Sequence, residues 1–126
     1  MGAELAVMTK SGGTWSSMAV LNNFADTIVA KLELTGDNDK WILFGRVMII
    51  NMDSDNQGAS ALMHNANVSL DTVELWMLEH ERQCVTLHAA LVVRERETIT
   101  LECNTYKGGA YAASIVAIKV DDFQIQ

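Results

Sequence analysis

Apolar and polar residues alternate along most of the chain after residue 26. A period of two is typical of a β-strand with one buried face, because successive side chains of a strand point to opposite sides. In residues 27–34 the alternation predicts an inward set of Ile28, Ala30, Leu32 and Leu34. The alternation is clearest in residues 85–93, where the predicted inward set is Val85, Leu87, Ala89, Leu91 and Val93.

Further strands are predicted by the same alternation or by apolar runs between turns. They are residues 41–51, 59–64, 68–79, 98–106 and 111–121. Residues 41–51 are apolar at almost every position, which favours a central strand covered on both sides. The total is about seven strands at intervals of about 8–12 residues, with no sustained helical period after residue 26. Such spacing predicts an all-β sandwich or barrel.

The first part of the chain has a weaker pattern. Residues 4–8 fit a short strand, whereas residues 15–24 fit either a short helix or an extended segment that wraps an edge. We therefore expect residues 1–24 to form an N-terminal segment that packs on the domain, and residues 25–126 to form the β-sandwich domain. Proline is absent, so the turns must rest on Gly, Asn and Asp. Clusters of these residues predict turns at 35–39, 53–58 and 107–109.

The hydrophobic fraction and the net charge of the chain restrict the kinds of partner that it is expected to bind. The chain has 126 residues, of which 49% are hydrophobic, and a small domain has little interior in which to bury them. The excess predicts a homo-oligomer in which copies share apolar surface. A net charge of -7 leaves no basic face to displace counterions, so nucleic acid is excluded as an expected partner.

The sequence also bears on localisation. No apolar run approaches the roughly 18 residues that a membrane helix needs, so membrane insertion is not expected. The N-terminal residues lack the basic and long apolar regions of a secretory signal. We expect the chain to stay in the cytoplasm or to leave the cell by a route that needs no signal peptide.

The two cysteines are Cys84 and Cys103. If the strands on either side of the charged residues 94–97 form a hairpin, the register separates the cysteines by about 10 Å, which is too far for a disulfide. If the strands belong to opposite sheets, a bridge across the sandwich is the alternative. We expect two free, mostly buried thiols, since cysteine is among the most buried residue types.

The order of the strand sequences resembles a known group of proteins. The stretches are Trp-Ile-Leu-Phe-Gly-Arg-Val (41–47), Ile-Asn-Met-Asp-Ser-Asp (50–55), Val-Ser-Leu-Asp-Thr-Val-Glu-Leu (68–75), Val-Thr-Leu-His-Ala-Ala-Leu (85–91), Thr-Leu-Glu-Cys-Asn-Thr-Tyr (100–106) and Ser-Ile-Val-Ala-Ile-Lys-Val (114–120). Across residues 25–120 the chain resembles small uncharacterised bacterial proteins whose strand pattern is similar to the tumour-necrosis-factor-like (TNF-like) and complement-globular-head jelly rolls. The resemblance implies two antiparallel sheets with jelly-roll connections, a trimer around a threefold axis, and a role in binding proteins or glycans rather than in catalysis.

One loop carries candidate metal ligands. Asp53 and Asp55 lie two residues apart, and carboxylate oxygens are ligands that Ca²⁺ prefers. The loop begins like an EF-hand loop, but its twelfth residue is His64 instead of a bidentate glutamate, so the EF-hand motif fails. The alternative is a solvated turn in which Asp and Asn side chains bond to their own backbone. Asp37 and Asp39 would add ligands only if the two loops meet at one end of the sandwich.

Signatures of catalysis are weak. His88 would approach Cys103 only if the assumed hairpin slipped by one register. Glycine-rich nucleotide loops and the spacing of a zinc site do not occur. We therefore expect no enzyme and no cofactor other than the calcium option. His64 and His80 flank strand ends and would make assembly sensitive to pH if they face an interface.

The aromatic residues offer one further option. Trp41 and Trp76 lie in predicted strands and are expected in the core or at an interface. Trp15 and Tyr111 lie near loops, where the options are an exposed platform on which sugars stack and, as the favoured alternative, ordinary packing. The sequence thus predicts a self-associating jelly-roll binding module, a trimer, with a glycan or protein ligand. The alternative is a structural protein such as a virion or shell component.

Overall fold

The computed structural model describes residues 18–66 and 68–121, together with the backbone of residues 4–7 and 9–10. Its strands are β1 Glu4–Val7, β2 Thr9–Lys10, β3 Ala19–Asn22, β4 Thr27–Thr35, β5 Asp39–Asn51, β6 Gln57–Asn65, β7 Val68–Met77, β8 Arg82–Val93, β9 Arg96–Thr105 and β10 Lys107–Val120. Within these described ranges, no helix is long and apolar enough to cross a bilayer.

The strands form two antiparallel five-stranded sheets packed face to face. In sheet I, β10 lies between β5 on one side and two short strands on the other, and β8 follows β5. The short strands β1 and β3 pair with opposite ends of β10 and so share one strand position. Sheet II has the order β2-β4-β9-β6-β7. From β4 to β10 the chain crosses between the sheets at every connection except that from β6 to β7, which confirms the all-β, antiparallel two-sheet sandwich of jelly-roll type.

Alternate side chains of both sheets fill the space between them. The burial of each large apolar side chain contributes about 1.5–3 kcal/mol, so this layer provides most of the driving force for folding. The predicted alternation in β9 is confirmed, because Ile99, Leu101 and Cys103 are buried. The largest fully buried apolar side chains are Leu21, Leu43, Ile49, Met63, Met77, Leu87, Ile99, Leu101, Ile115, Val47 and Val93.

The predicted inward set of β4 is wrong at its first position. Ile28 is 44% exposed, whereas Val29 and Ala30 are buried. The register with β9 shifts between Ile28 and Ala30, which marks a β-bulge. A bulge inserts one residue and reverses the alternation at that point, so a count with a period of two misplaces the residue before it. Beyond the bulge, Leu32 and Leu34 face the core as predicted.

Residues 107–109, predicted as a turn, instead begin strand β10. Gly108 and Gly109 are buried between β5 and β3. A Cβ atom on Gly108 would overlap the carbonyl oxygen of Ile50, so glycine is needed because two backbones approach closely there. In the N-terminal part, residues 19–22 form strand β3, which pairs with β10. Of the two predictions for residues 15–24, these residues therefore follow the extended segment and not the helix.

Of the two arrangements considered for the strands around residues 94–97, the structure has the second, since β8 and β9 lie in opposite sheets. Cys103 faces the core and Cys84 is exposed on sheet I, so both thiols are free as predicted, but only one is buried. Burial, together with the Glu102 carboxylate, raises the pKa of the Cys103 thiol from 9.0 to about 12.

Candidate functional site

The outward side of sheet I carries apolar side chains on three neighbouring strands. Phe44, at its centre, is 47% exposed and lies between Val116 of β10 and His88 of β8. We call this surface the sheet I face. Its apolar side chains are Ile42, Phe44, Met48 and Ile50 of β5, Ala90 and Val92 of β8, and Val116, Ile118 and Val120 of β10.

This arrangement corrects the prediction for residues 41–51. One side of β5 packs on the core, but within the described part of the chain the other side faces outward. The sequence of β5 is therefore suited to burial on both sides, but the described residues of this chain cover only one of them. Polar side chains share this face, among them Thr86 and His88 of β8. Two others bond to each other, since Arg46 Nε donates to Cys84 Sγ at 3.3 Å. Of its large apolar side chains, Phe44 and Val92 are exposed and the others are half-buried, and exposed apolar patches mark sites of interaction.

Side chains close the edge at which the two sheets meet. The Asp71 carboxylate of β7 accepts a hydrogen bond from the His88 backbone N–H of β8 at 2.9 Å. Gln83 of β8 donates to the Trp76 carbonyl oxygen of β7 at 3.3 Å. Gln83 also donates to Glu81 at 2.8 Å, which lowers the pKa of that carboxyl group. Since side chains occupy backbone groups of these edge strands, another chain is expected to dock on a sheet face rather than to extend a sheet.

A buried polar cluster holds the loop after β5. Asn51 is fully buried, and its Nδ2 donates to the backbone oxygens of Asp55 and Leu78, both at 2.9 Å. Its Oδ1 accepts hydrogen bonds from the Asp53 N–H at 2.9 Å and from the Gln57 side-chain amide. The sequence analysis missed Asn51 and Gln57. In the sequence, these two residues stand out only as side-chain amides at the two ends of an acidic loop between apolar strands.

The calcium site at Asp53 and Asp55 stays a prediction. The Asp53 carboxylate accepts a hydrogen bond from the Ser54 N–H at 2.8 Å, as the alternative of a turn requires. Asp37 and Asp39 lie at the other end of β5, about 40 Å away for a strand of 13 residues, so the two loops do not meet. Among the residues that the structure describes, no three acidic, histidine or cysteine side chains converge on a metal position.

The candidate catalytic pair is not brought together, because His88 faces outward on sheet I and Cys103 faces inward on sheet II. The two histidines considered for pH sensitivity lie elsewhere. His64, on the outward side of sheet II, has its Nε2 3.0 Å from Glu102 Oε1. His80 lies in the turn between β7 and β8. Neither histidine is on the sheet I face.

The outward side of sheet II contains a groove of about 450 Å³. Its lining includes Gly58, Ser60, Glu74, Trp76 and Asn104. Trp76 is 64% exposed, so it is not a core residue, and its position on an open face was not identified from the sequence.

The other aromatic candidates lie apart from this groove. Trp41 is buried as expected. Tyr111 is half-buried in β10, and Arg82 donates to its hydroxyl oxygen at 3.3 Å. Trp15 lies outside the described residues.

No family model and no curated protein matches the chain. Several solved structures are similar. Eiger, a TNF from S. frugiperda, superposes with a TM-score of 0.63 and 9% identity over 99% of this chain and 97% of its own. An infectious bursal disease virus chain (Gx strain) gives a TM-score of 0.61 and 7% identity over 98% of this chain but 34% of its own, so our chain spans about a third of the viral one.

Two further structures extend the comparison. The VP2 subviral particle of the same virus gives a TM-score of 0.59 and 7% identity over 94% of this chain and 33% of its own. The globular domain of zebrafish complement 1qA protein gives a TM-score of 0.47 and 11% identity over 98% and 100%. At such identities the similarity concerns the fold alone. The chain therefore has a jelly-roll fold like that of TNF, as the resemblance of its sequence implied.

Proposed function

We propose that the chain is a non-enzymatic jelly-roll binding module that self-associates through the sheet I face as a homotrimer and binds a glycan or a protein. The observation that carries self-association is the apolar outward side of β5 and its two neighbours, with Phe44 at its centre. The role without catalysis is the one that the TNF-like resemblance of the sequence implies.

The dimensions of this face suit an interface. Three strands about 4.8 Å apart and about 40 Å long present roughly 600 Å² before side chains are added. A stable interface buries about 800 Å² on each partner, which is of similar size. Apolar surface removed from water contributes about 25 cal/mol for each Å², which must exceed the roughly 4–15 kcal/mol that association costs. A closed trimer is the arrangement that the TNF-like resemblance of the sequence implies, and closed symmetry lets every copy bury the same surface.

The alternative is a structural role in a virion or shell. The similarity to the infectious bursal disease virus structures, including one of a subviral particle, favours this second candidate. The two functions differ in the size of the assembly, since a shell component forms large particles without any ligand and a binding module stops at a few copies.

The test replaces Phe44 with glutamate and measures mass by size-exclusion chromatography with light scattering. The native chain is expected to elute as three 13.8 kDa chains and Phe44→Glu as one, because a carboxylate cannot be buried unpaired between copies. Val68→Glu is the matched control, since Val68 is 56% exposed on sheet II and its replacement should leave the trimer intact. Equal masses for the native chain and Phe44→Glu would contradict the proposal, and large particles of the native chain would favour the shell.

A further inference from the structure

We infer that the groove around Trp76 on sheet II binds a saccharide, and that the saccharide is uncharged. This inference rests on the proposed role as a binding module and adds the site and the class of ligand. The groove lies on sheet II, on the opposite side of the sandwich from the sheet I face.

An aromatic surface is left open at one end of the groove. Trp76 is 64% exposed, and its cross-strand neighbour on β6 is Gly58, which has no side chain to cover the indole ring. Tyr106, the residue after β9, does not line the groove, and the centroid of its ring lies 6.0 Å from that of Phe24. Tyr106 is 48% exposed. Trp76 is therefore the aromatic ring that the described lining of the groove offers, with the empty position at Gly58 beside it.

Hydrogen-bonding groups form the adjacent row of the same groove. Ser60 pairs with Glu74 on one side and with Asn104 on the other. The Asn104 amide is held in place because its Nδ2 donates to Asp26 Oδ1 at 2.8 Å. The row offers a carboxylate acceptor, a hydroxyl group and an oriented amide. A sugar ring has an apolar C–H face and a rim of hydroxyl groups, so it matches an aromatic surface that lies beside such a row.

The charge and the volume of the groove restrict the class of ligand. The described residues that line the groove include the Glu74 carboxylate and no basic side chain, and the whole chain carries a charge of -7. This field repels sialylated or sulfated sugars. The volume of about 450 Å³ lies within the usual range of small-molecule sites, about 300–1,000 Å³. A short neutral saccharide is therefore the occupant that we propose.

The experiment probes a printed array of neutral, sialylated and sulfated glycans with the labelled native chain and three variants. Trp76→Ala removes the indole ring. Gly58→Val fills the groove, and its fold should be retained because a Cβ atom there meets only the Leu75 carbonyl oxygen, at 3.8 Å. Val68→Ala, at the other end of β7, is the control. We expect the native chain and Val68→Ala to bind neutral glycans, and both groove variants to bind them about tenfold more weakly or worse.

The mass of each sample, measured by light scattering, separates binding from assembly. An unchanged mass for Trp76→Ala and Gly58→Val, with binding lost, supports the inference. The inference is overturned if the native chain binds no neutral glycan, if it prefers charged glycans, or if Trp76→Ala binds as well as the native chain. A smaller mass for Trp76→Ala would also overturn it, because Trp76 would then lie between copies. If the native chain has the mass of one chain and still binds neutral glycans, the proposed trimer would be refuted and the saccharide site in the groove would be supported.

Discussion

Replacement of Asn51 tests whether the buried polar cluster after β5 stabilises the fold. The side chain is fully buried and makes four hydrogen bonds of 2.9 Å or less. Asn51→Ala removes all four and takes one partner from the Gln57 amide, which is itself buried and retains its bond to the Lys107 carbonyl oxygen. At about 1 kcal/mol for each bond, the free energy of unfolding should fall by about 4 kcal/mol. That is a large share of the roughly 5–15 kcal/mol typical of a domain.

Urea unfolding followed by far-ultraviolet circular dichroism measures this loss. All samples need the same protein concentration, because self-association adds a term that depends on concentration. Asn56→Ala is the control: Asn56 is exposed and accepts one hydrogen bond, from the Glu79 N–H at 3.1 Å, so its loss should stay below about 1 kcal/mol. A loss for Asn51→Ala no larger than that for Asn56→Ala would refute the stabilising role of the cluster.

Three further predictions concern the thiols and a glycine. In the Phe44→Glu variant, Ellman's reagent at pH 8 should modify Cys84 and leave Cys103, which is 1% exposed, unmodified until the chain is denatured; modification of both at equal rates would contradict the burial of Cys103. Folding raises the pKa of Cys103, so the stability that this thiol contributes is present below pH 9.0 and is lost as the pH rises towards about 12, at about 1.4 kcal/mol per pH unit. Urea titrations should therefore find that the free energy of unfolding of Cys103→Ala declines less steeply with pH than that of the native chain. Gly108→Ala should lower stability by about 3 kcal/mol in the same assay, because its Cβ atom overlaps the backbone of β5, whereas Gly58→Ala should leave stability within about 0.5 kcal/mol.

The strands could be predicted because each has one buried face, which imposes a period of two on the sequence. The prediction failed where the backbone departs from that period. The bulge at Val29 exposes Ile28, and the paired glycines that suggested a turn allow β10 to approach Ile50 closely. Alternation alone reveals neither departure.

The candidate surfaces were harder to predict, since they depend on contacts between distant parts of the chain. The apolar pattern of residues 41–51 shows that both sides are suited to burial, but it does not say whether the cover comes from the same chain. Gln57 bonds to the backbone of Lys107, 50 residues away, which leaves no local pattern. Trp76 is open because Gly58 happens to be its cross-strand partner, and that pairing follows from the register of β6 and β7.

Sedimentation velocity of the native chain, from low micromolar to several hundred micromolar, tests the central claim that the sheet I face is covered by other copies. We expect a species of three 13.8 kDa chains that persists on dilution to the lowest concentrations. A single 13.8 kDa chain at every concentration would show that the outward side of β5 remains in water and would contradict the claim.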